Sequence, residues 1–242
     1  MRILILKEVR GFLGSLIGQV VVVVFLLLTG LFLWVFPSNI LDTGYADLGP
    51  LFFVAPWVFL FLVPAVTMRS FSEEKRTGTI ELLLTKPLTE TQLVLAKYTA
   101  SVVLVVFALL PTAIYWYSLH ELAMPRGNLD TGGIIGSYIG LLLLASCFAA
   151  IGVFASAITE NQVVAFMVSV FLCFFLYLGF DLVASFDAFG ALEGLIKAIG
   201  IQDHYASLSR GVLDLRDVLY FFAMIAVFLL LTRAALQSRR WS

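Results

Sequence analysis

Six long apolar stretches divide the chain, and polar connections separate them. Each approaches the ~20 residues that a helix needs to cross a bilayer core of ~30 Å. The alternating segments of about ten residues that mark a β-barrel do not occur in the sequence. The pattern predicts an all-α membrane protein, one domain over residues 1–242 with six transmembrane helices. The expected spans are 14–36, 51–69, 91–118, 134–157, 163–184 and 217–236.

Composition supports the membrane class. The chain is 61% hydrophobic and 13% charged, with a mean hydropathy of +1.03. A soluble domain carries roughly 25% charged residues. The net charge of −1, without a basic stripe, gives no reason to expect nucleic acid as a partner.

The first apolar stretch is interpreted as a retained span. Its run from Phe12 to Phe36 exceeds the roughly 7–15 residues of a signal-peptide core, and no A-x-A cleavage site follows it. The ten residues before it have the pattern of a short helix that lies on the membrane surface. Ile3 and Leu6 share one face of this helix, and Lys7 is charged.

Lysine and arginine counts predict the orientation. They concentrate in the N-terminal arm, the second connection and the C-terminus, while the first connection has none, although the long fifth connection carries three. Because cytoplasmic loops are enriched in these residues, both termini are expected in the cytoplasm. The charges that decide this are Arg2, Lys7, Arg10, Arg69, Lys75, Arg76, Lys86, Arg233, Arg239 and Arg240.

Helix starts are marked by capping signals. The segments 89–92 and 159–162 both have threonine followed three residues later by glutamine, the pattern of a capping box. Asp214 precedes the sixth stretch and is a suitable N-cap residue. We therefore expect helices to begin immediately after Thr89, Thr159 and Asp214.

Two further features bear on packing. In the fourth stretch Gly132, Gly136 and Gly140 recur every four residues, which predicts a helix packed closely within the bundle. The fifth connection, 185–213, contains two short amphipathic segments that end at glycines. Both are too short to span, so the connection is expected to form a helical hairpin that is interfacial or re-entrant.

The polar segment 73–89, EEKRTGTIELLLTKPLT, is the strongest functional signal. Gly78 lies between two threonines and permits a bend, and Ile80, Leu83 and Leu84 then form an apolar face. The sequence favours a short amphipathic helix that presents charges to water as a docking surface. A solvated loop is the alternative.

Catalytic chemistry is missing from the sequence. No Gly-Lys step exists, so a phosphate-binding loop cannot be built. Two cysteines and two histidines far apart suggest no metal cluster. Asp181 is the clearest ionisable residue within a span, and a water-exposed helix end is its favoured interpretation. The chain is not expected to be an enzyme or to hold a cofactor.

The segment FLVPAVTMRSFSEEKRTGTIELLLTKPLTETQLVLAKYTAS (61–101) resembles the ABC-2 type permeases. Segments 7–36 and 152–166 extend the resemblance over nearly the whole chain. Within that family the chain is most similar to the gliding-motility-associated permeases (GldF-like) and the permeases of copper-site maturation (NosY-like).

The resemblance implies a six-helix permease in a bacterial inner membrane. Its expected partners are a cytoplasmic ATPase that binds ATP and magnesium, a second permease copy, and a membrane protein with a large extracytoplasmic domain. The N-terminal arm, with Lys7, Glu8 and Arg10, would be the surface "elbow" helix. The implied ATPase-coupling residues are Arg69, Phe71, Glu73, Glu74, Arg76, Gly78, Thr79, Glu81 and Pro87.

Three functions are compatible with the sequence. The first is a permease subunit that couples ATP hydrolysis to export or to a motility-type machine, which the patterned polar segment favours. A membrane scaffold that transports nothing and an ion-coupled carrier are the alternatives. The scarcity of carboxylates within the spans weighs against the carrier.

Overall fold

The computed structural model describes residues 1–37, 39–79, 89–185 and 193–238, and every regular element in these ranges is helical. Six helical segments are long and apolar enough to cross a membrane, which confirms the predicted all-α, six-span fold. They agree with the predicted stretches to within a few residues, except that the second continues into a short polar helix. The segments, called spans 1 to 6, are Leu16–Trp34, Gly49–Arg76, Glu90–Leu122, Thr131–Ile158, Gln162–Ala184 and Leu215–Ser238.

Shorter helices flank and interrupt the spans. A 3-10 turn at Leu110–Thr112 divides span 3, and a π-helical turn at Phe175–Gly179 divides span 5. The helices are α1 Arg2–Leu13, α2 Leu16–Trp34, α3 Ile40–Thr43, α4 Gly49–Thr67, α5 Ser72–Arg76, α6 Glu90–Leu109, α7 Ala113–Leu122, α8 Thr131–Ile158, α9 Gln162–Phe174, α10 Phe180–Ala184, α11 Glu193–Lys197, α12 Ile201–Leu208 and α13 Leu215–Ser238.

Span 4 (α8) lies at the centre and packs against spans 2, 3, 5 and 6. Its small residues make this possible, because atoms of the neighbouring segments occupy the space that a larger side chain of span 4 would fill. A Cβ atom added to Gly136 would lie 2.4 Å from the carbonyl oxygen of Gly211, and one added to Gly140 would lie 2.5 Å from Cβ of Leu208. The predicted close packing of this helix is confirmed.

Two of the three capping predictions are confirmed. The Thr89 hydroxyl accepts from the Gln92 N–H at 3.3 Å, while the Gln92 side chain accepts from the Thr89 N–H at 3.1 Å. Asp214 accepts from the Arg216 N–H at 2.9 Å, at the start of span 6.

The capping box predicted at 159–162 is wrong. The side chain of Asn161 caps span 5 instead, accepting from the Val163 N–H at 2.9 Å. The Thr159 hydroxyl donates to the carbonyl oxygen of Asn161. Asparagine is as good an N-cap residue as threonine, and here it stands immediately before the first helical residue.

The two ends of the bundle differ. We call the end that carries α1 and α5 the terminal end, and the end that carries α11 and α12 the hairpin end. Helix α12 buries one face against span 4 and is only eight residues long, so it does not cross the bundle. Phe189 and Leu192, which belong to the first predicted hairpin segment, lie outside the described residues. Asp181, at this end, is half-buried rather than freely exposed.

A buried polar cluster fastens the hairpin to span 6. Nδ1 of His204 lies 2.7 Å from Oδ1 of Asp217, and Nε2 lies 3.0 Å from the carbonyl oxygen of Ala198. The His204 ring stacks on Tyr220 with their centroids 3.9 Å apart. The two ring nitrogens of His204 therefore link α12 to span 6 and to the residues that precede α12.

Candidate functional site

The chain turns sharply within span 2, between α4 and α5. Helix α4 ends at Thr67, and α5 begins at Ser72. The hydroxyl of Ser156, on span 4, accepts from the N–H groups of Phe71 at 2.9 Å and Ser72 at 3.0 Å, and it donates to the carbonyl oxygen of Met68. The N–H groups at a helix start lack hydrogen-bond partners within the helix. Here the Ser156 hydroxyl accepts from two of them and so attaches the start of α5 to span 4.

Three charged side chains meet beside this turn. Nζ of Lys97, on α6, lies 2.9 Å from Oε1 of Glu74 on α5 and 3.0 Å from Oε1 of Glu8 on α1. The Lys97 side chain is only 1% exposed, and its ammonium lies 5.1 Å from the centroid of the Phe71 ring. We call Glu8, Glu74 and Lys97 the charged junction, because they join three helices that are distant in sequence.

The junction depends on all its members. A buried charge that loses its partner costs several kcal/mol, because the desolvation penalty is then no longer offset. The Lys75 ammonium adds a further link from α5, since it donates to the carbonyl oxygen of Ala157 on span 4. Helix α5 is therefore bound to α1, span 3 and span 4 through buried polar contacts.

An apolar cluster lies beneath the charged junction and reinforces it. It combines residues from α1, the turn before α5, and spans 3, 4 and 6, so these elements share one packed unit at the terminal end. Its buried members are Leu4, Phe71, Leu93, Val94, Ala96, Val153, Ala157 and Leu236.

The opposite side of α5 faces outward. Glu73 and Arg76 are exposed, and the chain then bends at Gly78, whose φ of +69° is favourable only for glycine among common residues. Thr79 is exposed beside it. A polar cavity of about 400 Å³ opens between this segment and α1, lined by Arg69 among others. The exposed α5 surface, defined by Glu73, Arg76, Gly78 and Thr79, is available to a partner.

The predicted coupling and elbow residues are largely brought together, but their environments differ. Lys7 and Arg10 are exposed on α1, whereas Glu8 points into the junction. Glu74, expected on a docking surface, is buried instead, since it pairs with Lys97. Glu81 and Pro87 lie outside the described residues, as does the predicted helix around Ile80.

The sequence reasoning missed Lys97 and Ser156. In sequence, Lys97 lies just inside the third predicted span and adds only one more positive charge beside the second connection. Its position seven residues inside a helix start, among apolar neighbours, was the available signal that it needs a buried partner. Ser156 belongs to the small-residue face of span 4, and nothing in the sequence distinguishes it from a packing residue.

Among the residues that the structure describes, no group of three or more His, Cys, Asp and Glu side chains is placed to hold a metal ion. The contacts that are present bind α5 to α1, span 3 and span 4.

Fold and site together define a multi-pass helical membrane protein whose exposed polar surface is held rigidly at one end. The family model described as ABC-2 family transporter protein matches residues 45–240, and the chain belongs to that family. It is therefore a membrane permease subunit of an ABC transporter, a component that is generally not catalytic itself. No curated protein matches the sequence.

Proposed function

We propose that this permease couples ATP hydrolysis on a separate cytoplasmic ATPase to movement of its spans, for export or for a motility-type membrane machine. The observation that carries the proposal is the charged junction. Lys97, 1% exposed and held by both Glu8 and Glu74, ties the exposed α5 surface to α1 and span 3.

The mechanism follows from these contacts. ATP and magnesium would bind in the ATPase, whose closure presses on the exposed α5 surface around Glu73 and Arg76. Helix α5 cannot yield alone, because Lys75 and the backbone contacts to Ser156 hold it to span 4. The displacement therefore passes into spans 3 and 4 and into α1.

The orientation belongs to the same proposal. We place the terminal end in the cytoplasm of a bacterial inner membrane, with both chain termini there. The support is the concentration of lysine and arginine in the N-terminal arm and around α5. A nucleotide-hydrolysing partner is cytoplasmic, so this orientation is a condition for the coupling.

The finer identity is also a proposal. The resemblance of segment 61–101 supports a GldF-like or NosY-like permease. Such a protein would work with a second permease copy and with a membrane protein that bears a large extracytoplasmic domain. Copurification with both would support this assignment, and an isolated permease–ATPase pair that transports cargo would contradict the motility role.

The decisive experiment uses the ATPase that copurifies with the full-length permease from its host, reconstituted with it in proteoliposomes. The variant Glu73→Ala/Arg76→Ala removes two exposed charges from α5 and leaves the charged junction intact. We expect permease-stimulated ATP hydrolysis to fall to the rate of the ATPase alone. Arg216→Ala, an exposed charge at the hairpin end, is the matched control and should retain stimulation. Full stimulation of the double variant would refute the coupling.

A further inference from the structure

Two cavities of the bundle share a wall. The larger, about 600 Å³, is a groove between spans 1 and 2, closed at one side by Phe166 of span 5. The smaller, about 270 Å³, lies at the hairpin end between the start of span 2 and α12. Phe53 and Trp57 line both cavities, so the two spaces are adjacent and these side chains lie between them.

The groove is entirely apolar in character. Its lining consists of valine, leucine, alanine, phenylalanine and tryptophan side chains. Along span 2 it extends from Phe53 to Ala65, which at 1.5 Å per residue is about 18 Å. That length slightly exceeds half of the ~30 Å hydrocarbon core, the depth that one leaflet's acyl chains occupy.

The smaller cavity is polar on one side. Arg210 lines it, and its Nε donates to the carbonyl oxygen of Ala206 at 3.1 Å, which orients the guanidinium. Among the described residues no carboxylate lies within 4.0 Å of that guanidinium. Gln202 also lines the cavity, and its Oε1 is buried without a hydrogen-bond partner in the described part of the chain. The cavity thus offers a cation and an unused acceptor.

We propose that the two cavities together form a binding site for a phospholipid whose headgroup is anionic and carries hydroxyls. The acyl chain lies in the apolar groove, the phosphate pairs with Arg210, and a headgroup hydroxyl donates to Oε1 of Gln202. Arginine is well suited to the phosphate because its planar guanidinium donates two parallel hydrogen bonds. Phosphatidylglycerol has this chemistry.

Charge complementarity decides between this occupant and a helix of a second copy. An apolar helix would fill the groove, but it would bring no negative charge to Arg210 and no donor to the buried Oε1 of Gln202, and a buried acceptor without a donor is costly. A lipid fills the groove with its acyl chain and places its phosphate and hydroxyl against Arg210 and Gln202 in the polar cavity. The site does not depend on the ATPase coupling proposed above, because its test needs neither nucleotide nor partner.

Trp57 allows a direct test, because it lines both cavities. The substitutions Trp34→Phe, Trp116→Phe and Trp241→Phe leave it as the single tryptophan of the full-length chain. This protein is placed in nanodiscs in which either phosphatidylglycerol or phosphatidylcholine carries brominated acyl chains, which quench tryptophan fluorescence on contact. We expect brominated phosphatidylglycerol to bind about fivefold more strongly than brominated phosphatidylcholine, the effect of one interfacial charge.

Variants assign the effect to the site. Arg210→Gln should abolish the preference, whereas Arg216→Gln, a nearby exposed arginine outside both cavities, should retain it. Gln202→Leu should weaken the preference. Val24→Phe narrows the groove and should reduce quenching by both lipids. Unfolding temperatures equal to that of the single-tryptophan parent would show that each variant is folded.

Several results would overturn the proposal. The first is equal quenching by the two lipids, and the second is a preference that survives Arg210→Gln. The third is quenching that Val24→Phe leaves unchanged, because bulk lipid would then reach Trp57 without entering the groove. Absence of quenching by either lipid, with disulfide crosslinking of Val24→Cys between copies, would show that a second copy fills the groove instead.

Discussion

The ammonium of Lys97 lies 2.9 Å from a carboxylate oxygen of Glu74, and both side chains are buried at the terminal end of the bundle. This pair links span 3 to α5, the short helix that ends span 2, and Glu8 extends the link to α1. The charged junction therefore sets both the stability of this end and, in the proposed function, the path by which movement enters the membrane.

The first prediction concerns the junction itself. Lys97→Met keeps the length of the side chain but leaves the buried carboxylate of Glu74 and the half-buried carboxylate of Glu8 without their cation. We expect a loss of about 3–5 kcal/mol in the free energy of unfolding, because breaking a buried ion pair strands its partners. Chemical denaturation in detergent measures it. Adding Glu74→Gln should recover part of the loss, since one uncompensated charge is then removed.

An exposed ion pair serves as the control for that experiment. Lys197 and Glu193 are one helical turn apart at the hairpin end, and their side chains are 40% and 50% exposed. The hydrogen bond from Lys197 lowers the pKa of the Glu193 carboxyl below its usual value. Water replaces such a contact easily, so Lys197→Met should leave the unfolding transition unchanged within error. Equal losses for Lys97→Met and Lys197→Met would contradict the importance of burial.

A second prediction tests how α5 is held. Ser156→Ala removes the acceptor of two buried N–H groups, those of Phe71 and Ser72. Stranding buried donors costs about 1–3 kcal/mol, so stability should fall by that order. Hydrogen exchange should accelerate locally, at residues 71–76, while span 6 stays protected. Ser185→Ala, an exposed position bonded only within its own helix, should change neither measurement.

The third prediction separates two kinds of helix glycine. Gly136→Ala places a methyl group 2.4 Å from the carbonyl oxygen of Gly211, and backbone cannot move aside as a flexible side chain does. Overpacking of this kind costs typically about 1–3 kcal/mol. Gly11→Ala, on α1, has no neighbouring atom within 4 Å of the new Cβ and should stabilise its helix by about 0.5–1 kcal/mol. Thermal unfolding should therefore shift in opposite directions for the two variants.

The fourth prediction addresses the hairpin. Asp217→Asn preserves the shape of the side chain but removes the charge that faces His204 at 2.7 Å. The contact between α12 and span 6 should weaken, and amide exchange over 201–208 should accelerate. Ser207→Ala removes only a neutral hydroxyl that donates to the same carboxylate, so its effect should be smaller. A larger effect of Ser207→Ala would contradict the role given to the His204–Asp217 pair.

The fifth prediction tests the proposed orientation. Both natural cysteines, Cys147 and Cys173, are buried and should give little background labelling. Thr77→Cys, exposed beside α5, should react with a membrane-impermeant maleimide only in inside-out vesicles. Gly194→Cys, in open space at the hairpin end, should react only in right-side-out cells. Labelling of both positions from one side would exclude the six-span topology, and reversed labelling would place α5 outside the cytoplasm.

Most of the fold was predictable from the sequence. Six apolar runs of membrane-spanning length determine six helices, because lipid offers the backbone no hydrogen-bond partner and each helix satisfies its own groups. The capping box at Thr89 was readable for a similar reason, since its two hydrogen bonds join residues only three positions apart. The repeat of glycines every four residues likewise predicted that span 4 packs tightly within the bundle.

Only the tertiary structure decided which polar residues face inward. In sequence Glu73 and Glu74 are equivalent neighbours, yet one is exposed and the other is buried against Lys97, 23 positions further along. The sequence predicted Thr159 as the cap of span 5, but in the folded protein the helix begins at Gln162 and Asn161 caps it. Burial and pairing depend on which helices meet, and contacts between distant segments are set by how the whole bundle packs.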